Sequence, residues 1–240
     1  MFSRNAVLCA LAATAAGLFV VAQSVSVEAH GDVAPQAVDT SGLPALGEEW
    51  LEENPWRNPD SEFWATAVKI GASGYNQNCA RCHGLEVISG GLAPDLRYLE
   101  ADDAGDEWFM ERFQHGYTQN GITKMPAFGE LLGQEAAWAI RTYVETRPDD
   151  GAIDAHAERL KEIRDELKAL LSQGKGTSDA ADEIAGLKSE MESIAVEVET
   201  GSGAPRADSV ASRAVFALDG SDGSLKNAAE VLTIGLSAAE

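Results

Sequence analysis

The sequence predicts an all-α protein with an irregular N-terminal arm and a helical C-terminal extension. Two segments with helical spacing bracket residues 61–147, a C-x-x-C-H motif ends the first of them, and further helical repeats follow residue 151. Composition changes near Pro148, and the chain exceeds the length of one small helical unit. We therefore expect a leader at 1–29, an arm at 30–60, a helical unit at 61–150, and an acidic, partly disordered extension at 151–240.

The N-terminus has the pattern of a cleaved secretory signal. A short cationic start, Met1 to Arg4, precedes an apolar run from Ala6 to Ala22, and Val27-Glu28-Ala29 supplies small residues for cleavage. The mature chain would then begin at His30. No later stretch has the roughly 20 apolar residues of a membrane span, so we expect no stable membrane insertion. Export would place the protein in the periplasm of a Gram-negative bacterium.

Helical spacing in the 61–150 unit predicts three helices. The first runs from Phe63 to Asn78, with Asp60 or Ser61 as N-cap, and leads into the cysteine pair. A shorter helix is expected from Asp106 to Gln114. The last runs from Gln134 to Arg147. If the first and last helices cross, Gly71 permits close backbone approach and Tyr75 packs against Trp138 or Tyr143.

Cys79-Ala80-Arg81-Cys82-His83 has the spacing of a c-type haem attachment site. Each thiol can add to one haem vinyl group, and His83 can bind the iron as proximal ligand. A redox dithiol, half of a zinc site and a structural disulfide are alternatives, but none of them explains the adjacent histidine. We therefore expect one covalently attached haem c per chain.

A sixth iron ligand would distinguish an electron carrier from a haem that binds substrate. Met125-Pro126 follows the motif in a Gly-rich segment predicted as a loop, and a thioether there suits the iron. The alternatives are Met110, expected inside a helix, and three histidines. These are His30 in the arm, His115 at a helix end and His156 in the extension. We favour Met125.

The extension repeats apolar residues at helical spacing in two stretches, which predicts a helical hairpin with two narrow seams. The first stretch holds Leu160, Ile163, Leu167 and Leu170, and the second holds Ile184, Leu187, Met191, Ile194 and Val198. The seams can close on each other, on the segments 215–218 and 231–236, or on a partner, so an oligomer through residues 151–200 is one expectation. Composition also predicts partial disorder at 200–229.

Both parts of the mature chain are acidic. Residues 30–150 hold 8 basic and 21 acidic residues, a net of −13, and residues 151–240 hold 9 and 17, a net of −8. Nucleic acid and anionic membrane surfaces are therefore poor partners, whereas a protein with a basic docking patch is a suitable one. The alternative is that this charge only maintains solubility.

Taken together, these motifs resemble the class I cytochrome c domain over residues 61–147. The resemblance lies in the spacing of Gly71, Tyr75 and the C-x-x-C-H motif, then Pro94, Met125-Pro126 and an aromatic-bearing last helix. The stretches 75–86, 90–96 and 138–143 more closely resemble periplasmic cytochromes c that accept electrons from pyrroloquinoline-quinone (PQQ) dependent alcohol dehydrogenases. The fold implied is that of class I cytochrome c, and the resemblance does not extend to the extension.

The resemblance also implies roles for particular residues. The carbonyl of Pro94 would accept a hydrogen bond from the His83 ring and so fix its tautomer. Arg97 would reach a haem propionate, although a solvated surface arginine is the alternative. The implied donor is a PQQ-dependent dehydrogenase, and the acceptor is a terminal oxidase or another cytochrome.

We therefore expect a one-electron carrier that is not an enzyme. Two alternatives remain open. One is a haem enzyme subunit for peroxide reduction or sulfur oxidation, which needs an exchangeable sixth position. The other is a haem domain tethered by its extension in a larger respiratory complex.

Overall fold

The computed structural model describes residues 35–173 and 180–237. Its helices are α1 (Trp64–Asn78), α2 (Ala80–His83), α3 (Asp103–His115), α4 (Gly129–Glu145), α5 (Ala157–Ser172), α6 (Ala181–Glu197), α7 (Val210–Ala217) and α8 (Ser224–Ser237). A short antiparallel hairpin, β1 (Tyr117–Gln119) and β2 (Ile122–Met125), connects α3 to α4. The prediction of a mainly helical fold is confirmed. The predicted signal and His30 lie outside the described residues. Among the described helices, none is long and apolar enough to cross a membrane.

The helix ends differ in detail from the sequence prediction. The predicted N-caps of α1 were wrong, because its N-cap is Phe63, whose side chain makes no capping bond. Ser61 instead accepts a hydrogen bond from the Phe63 N–H at 3.3 Å, before the helix begins. The second helix starts earlier than predicted, since the carboxylate of Asp102 accepts from the Gly105 N–H at 2.8 Å. Propensity patterns locate helices better than they locate helix ends.

Helices α1 and α4 cross with their backbones in contact at Gly71. A Cβ atom built on Gly71 would lie 1.9 Å from the carbonyl oxygen of Ala139, so only glycine fits there. Near the crossing, the rings of Tyr75 and Tyr143 pack with centroids 5.4 Å apart. The predicted crossing and the Tyr75–Tyr143 contact are both confirmed.

Residues 35–60 form the predicted irregular arm, which is tied to α3 and α4 by buried charges. Arg57 Nη2 and Arg141 Nε lie 2.7 and 2.8 Å from the carboxylate of Asp106, which is fully buried. Asn54 donates its backbone N–H to Asp106 at 2.9 Å and its side-chain amide to Glu145 at 2.9 Å. Burial raises the pKa of Glu145, while Arg141 and Arg57 act in the opposite direction. Two arginines balance two carboxylates, so no buried charge lacks a partner in this cluster.

The extension covers its own apolar seams. Each side chain of the two predicted seams is buried. Helix α5 packs mainly on α8, α6 packs on α7, and α7 packs on α8, whereas α5 and α6 touch each other little. The seams thus close on the later segments, the second of the three alternatives. The expectation of an oligomer through residues 151–200 assumed an exposed seam, and both seams are already buried within the chain.

Residues 200–229, for which the composition predicts partial disorder, contain helices and buried side chains. They contain α7 and the start of α8, and Ala207, Ala211, Ala214 and Leu225 are buried in the core of the extension. A composition rich in small residues predicts disorder. Here, however, the small residues permit close packing between short helices. The composition rule failed because it does not count the apolar surface that α5 and α6 supply.

The extension also contacts the end of α4. Asp208 forms ion pairs with Arg147 and Arg213, and Glu86 accepts hydrogen bonds from the same two arginines. The backbone N–H of Asp208 donates to the Thr146 carbonyl at 2.8 Å. The extension has its own hydrophobic cluster and joins the rest through these ion pairs, backbone hydrogen bonds and a contact between the rings of Trp64 and Phe216, with centroids 6.5 Å apart. We retain the boundary at residue 150 as a proposal.

Replacing Gly71 with alanine should destabilise the fold strongly. The new Cβ would overlap backbone atoms of Ala139, which cannot move without separating α1 from α4. We expect a loss of about 2–4 kcal/mol in the free energy of unfolding, measured by denaturant titration. Gly186→Ala in α6 is the matched control, because its Cβ would meet nothing within 4 Å and should stabilise slightly. Equal effects at the two sites would contradict the close crossing.

Asp208→Asn should lower the free energy of unfolding at neutral pH but not in acid. Burial opposes ionisation of Asp208, yet attraction by Arg147 and Arg213 prevails and holds its pKa below 3.8. The stabilisation is therefore present above about pH 4 and is lost as pH falls through the lowered pKa; Glu86 shifts in the same direction. We expect a deficit of about 1–3 kcal/mol at pH 7 that shrinks on acidification, measured by denaturation across pH. A deficit that is constant with pH would contradict this.

Candidate functional site

The C-x-x-C-H residues form a tight turn where α1 ends. Cys79 closes α1 and starts α2, and its carbonyl accepts from the Cys82 and His83 N–H groups at 3.1 and 3.0 Å. The two thiols form no disulfide, and Cys82 is exposed. Burial, with a contribution from Cys82, raises the pKa of Cys79 to about 12. Among the described residues, no group of three or more His, Cys, Asp or Glu side chains is placed to hold a metal ion, so the pair has no partners to complete a zinc site.

The imidazole of His83 is oriented by one hydrogen bond. Its Nδ1 lies 3.0 Å from the Pro94 carbonyl oxygen. Because a carbonyl can only accept, Nδ1 carries the proton and Nε2 presents its lone pair. Burial lowers the pKa of His83, while the Pro94 bond acts in the opposite direction, so the ring is neutral near pH 7. The structure thus places Pro94 where the resemblance implied, and leaves Nε2 available to a metal.

Arg97 is not a solvated surface arginine. It is buried, and its Nε and Nη2 donate to the carboxylate of Asp95 at 3.1 and 2.9 Å. Its guanidinium also lies over the Tyr98 ring, 5.3 Å from the centroid. The surface-arginine alternative is therefore wrong. Contact with a propionate remains a proposal, and Asp95 already engages two of the donors.

Met125 is the last residue of β2, not part of a glycine-rich loop. It is half-buried and packs, like Cys79, against the hydrophobic cluster that includes α1 and α4. Gly116 lies against the Met125-Pro126 backbone, because a Cβ there would be 2.5 Å from the Met125 oxygen. The short hairpin escaped prediction, since its strands have three and four residues and are mostly exposed.

The other candidates for a sixth ligand occupy less suitable places. Met110 is buried in α3 as core. His115 is exposed at the end of that helix. His156 lies in the extension, 3.7 Å from Glu197. His30 is outside the described residues. Met125 thus remains the preferred candidate.

The donor set fits a covalently attached haem. It comprises two thiols free of disulfide, an imidazole with its Nε2 lone pair available, and a half-buried thioether. The segments that carry these groups also expose large apolar side chains, namely Leu85, Leu92 and Ile122. Exposed apolar side chains on these segments are available to contact a flat hydrophobic macrocycle.

A cluster next to the motif could not be inferred from the sequence. Glu86, three residues after His83, pairs with Arg147 at 2.7 Å and with Arg213 at 3.1 Å. Arg213 lies 127 positions further along the chain. Single charged residues at such separations carry no sequence signal of pairing.

Comparisons with known proteins agree with this chemistry. The family model described as cytochrome c oxidase, cbb3-type, subunit III matches residues 66–144. The chain is 58% identical to cytochrome c550 of Pseudomonas aeruginosa over 118 residues, covering 49% of this chain and 81% of that protein. No solved structure matches.

Two longer proteins match over smaller shares of their length. Quinohemoprotein alcohol dehydrogenase ADH IIB of Pseudomonas putida is 36% identical over 89 residues, which cover 37% of this chain and 12% of that protein. The cbb3-type cytochrome c oxidase subunit FixP of Rhizobium meliloti is 29% identical over 133 residues, which cover 50% of this chain and 42% of FixP.

Proposed function

The chain belongs to the cytochrome c family, and on that premise we propose that it is a periplasmic one-electron carrier with a single haem c. Family membership implies that the haem is covalently bound. In this proposal Cys79 and Cys82 form the thioether links, and His83 and Met125 are the axial ligands. When bound, the haem supplies a one-electron redox couple at its iron.

One observation carries the proposal: the His83 ring is held by Pro94 beside two thiols that form no disulfide. The hydrogen bond from Nδ1 keeps Nε2 as the coordinating atom and increases its basicity. The contact of Gly116 with the backbone of Met125-Pro126 leaves little room for that backbone to move. Ligands that stay in place in both oxidation states keep reorganisation small, which suits a carrier better than a catalyst.

The proposed donor is a PQQ-dependent alcohol dehydrogenase, and the proposed acceptor is a terminal oxidase or another cytochrome. Support comes from similarity to part of a quinohemoprotein alcohol dehydrogenase and to an oxidase subunit, FixP. In each case the match covers only part of the other protein, 12% of the dehydrogenase and 42% of FixP. The net charge of −13 on residues 30–150 favours docking to basic surfaces.

The alternatives make different demands on the molecule. A haem enzyme needs an exchangeable sixth position, which ligation by Met125 would block. A tethered subunit needs a free interaction surface on the extension, and the seams considered for that purpose are covered within the chain. The covered seams favour the carrier over the tethered subunit, and ligation by Met125 is what separates the carrier from the enzyme.

The ligation test uses carbon monoxide. If Met125 binds the iron, the ferrous protein should be low-spin and should bind carbon monoxide poorly, whereas Met125→Ala should bind it readily. Met110→Ala is the matched control, since Met110 is core and its loss should reduce stability without opening the iron. Absorption spectra during carbon monoxide titration measure the difference. Rapid binding by the unmutated protein would favour the enzyme alternative.

The partner test uses reduction kinetics. A PQQ-dependent alcohol dehydrogenase from the same organism should reduce the protein quickly at low salt. The rate should fall as the Debye length shrinks from about 10 Å at 0.1 M to about 3 Å at 1 M salt. Stopped-flow absorbance at the haem band gives the rate. A salt-independent rate would remove electrostatic docking, and absence of reduction would remove this donor.

A further inference from the structure

The loop that follows the C-x-x-C-H motif, residues 84–88, has an unfavourable backbone. Gly84 has φ +86°, and a Cβ there would lie 1.8 Å from the Ile88 carbonyl oxygen. Glu86 and Val87 also have positive φ values, 52° and 68°, and Val87 is fully buried. Such a backbone is rare for a β-branched residue, and it persists only where surrounding contacts hold it.

Part of that support comes from α1 and α4. The Tyr75 hydroxyl donates to the Gly84 carbonyl at 2.8 Å. Arg147 donates to Glu86 at 2.7 Å and lies over the Tyr143 ring, 4.1 Å from its centroid. These contacts hold the start and the middle of the loop from residues within the 61–150 unit.

The remaining support comes from the extension. Arg213, in α7, donates from Nη2 to Glu86 at 3.1 Å, onto the same carboxylate oxygen that Arg147 uses. Asp208, which is buried, pairs with both arginines and accepts from the Arg213 Nε at 3.1 Å. Each arginine therefore lies between the same two carboxylates.

This quartet of Glu86, Arg147, Asp208 and Arg213 is neutral as a whole. Without Arg213 it would hold two carboxylates and one guanidinium, so Glu86 would lose half of its cationic support. Arg147 would then have to serve both carboxylates alone. Glu86 is three residues from His83, and the intervening Gly84 N–H is bonded to Ala80 in the motif itself.

We infer that Asp208 and Arg213 are positioning residues of the extension, which hold the loop 84–88 and, through it, the orientation of His83. The extension is thus part of the haem site's support, although it has a hydrophobic cluster of its own. This role rests on the proposed function only in that His83 is an iron ligand. It does not depend on the identity of the donor or acceptor.

The test compares three variants of the full haem-loaded chain: Arg213→Gln, Arg213→Lys and Arg159→Gln. Arg159 is the matched control, because its substitution changes the net charge equally and its partners, Glu162, Glu166 and Glu190, all lie in the extension. The first readout is hydrogen exchange of the Ile88 amide, which donates to Leu85 at 3.0 Å. The second is the midpoint reduction potential of the haem.

In Arg213→Gln we expect exchange at Ile88 to accelerate roughly tenfold, with unchanged exchange in the middle of α4. The potential should differ from that of Arg159→Gln, and Arg213→Lys should give intermediate values for both readouts. If Arg213→Gln does not accumulate, Glu86→Gln tests the same contact and should also accelerate exchange at Ile88. Exchange and potential equal to those of Arg159→Gln would overturn the inference. So would acceleration spread evenly over residues 61–147, which would indicate a general loss of stability.

Discussion

The contact between α1 and α4 at Gly71 is the constraint on which the rest of the molecule depends. It brings two backbones into direct contact, at a distance that no side chain at position 71 would permit. The crossing fixes the position of each helix, and so of its end, relative to the other. The turn of the C-x-x-C-H motif lies at the end of α1. Glu145 and Arg147, with their ion pairs, lie at the end of α4. A change at the crossing therefore reaches both the site and the attachment of the flanking segments.

Two clusters of paired charges fasten those flanking segments to the helix pair. The arm is held by Arg57, through Asp106 and Glu145, and the extension is held by Asp208 and Arg213. Isolated buried charges would cost several kcal/mol each, so both clusters are balanced and hydrogen-bonded. Ion pairs of fixed geometry specify orientation more narrowly than apolar surfaces do. The extension thus has a core of its own and a junction in which ion pairs and backbone hydrogen bonds accompany the contact between Trp64 and Phe216.

That junction changes how the proposed haem-attachment site is understood. The motif supplies two thiols and an imidazole, but the backbone after His83 has positive φ angles that local sequence alone does not favour. Contacts from Tyr75, Arg147 and Arg213 hold this backbone. Catalytic and redox sites commonly store strain of this kind where surrounding structure supports it. The support here comes from three separate stretches of chain.

Much of the fold and site followed from the sequence, because the relevant signals are local. Helical periodicity predicted α1, α3, α4, α5 and α6, and the C-x-x-C-H spacing predicted covalent haem, which family membership supports. The close approach at Gly71 was also predicted, since a glycine and an aromatic residue four positions apart share one helix face. Local spacing did not reveal the hairpin that carries Met125, because its strands are too short to show a pattern.

What the sequence by itself determined is the chemistry: two thiols, a histidine and a methionine at spacings suited to a haem, within a helical fold. Only the tertiary structure decided how that chemistry is supported. It showed that Arg97 is buried against Asp95, that the apolar seams close on α7 and α8, and that Glu86 meets Arg213. The physical reason is that a pairing between distant charges depends on where two helices end in space. A residue's type and its local periodicity contain no information about that position.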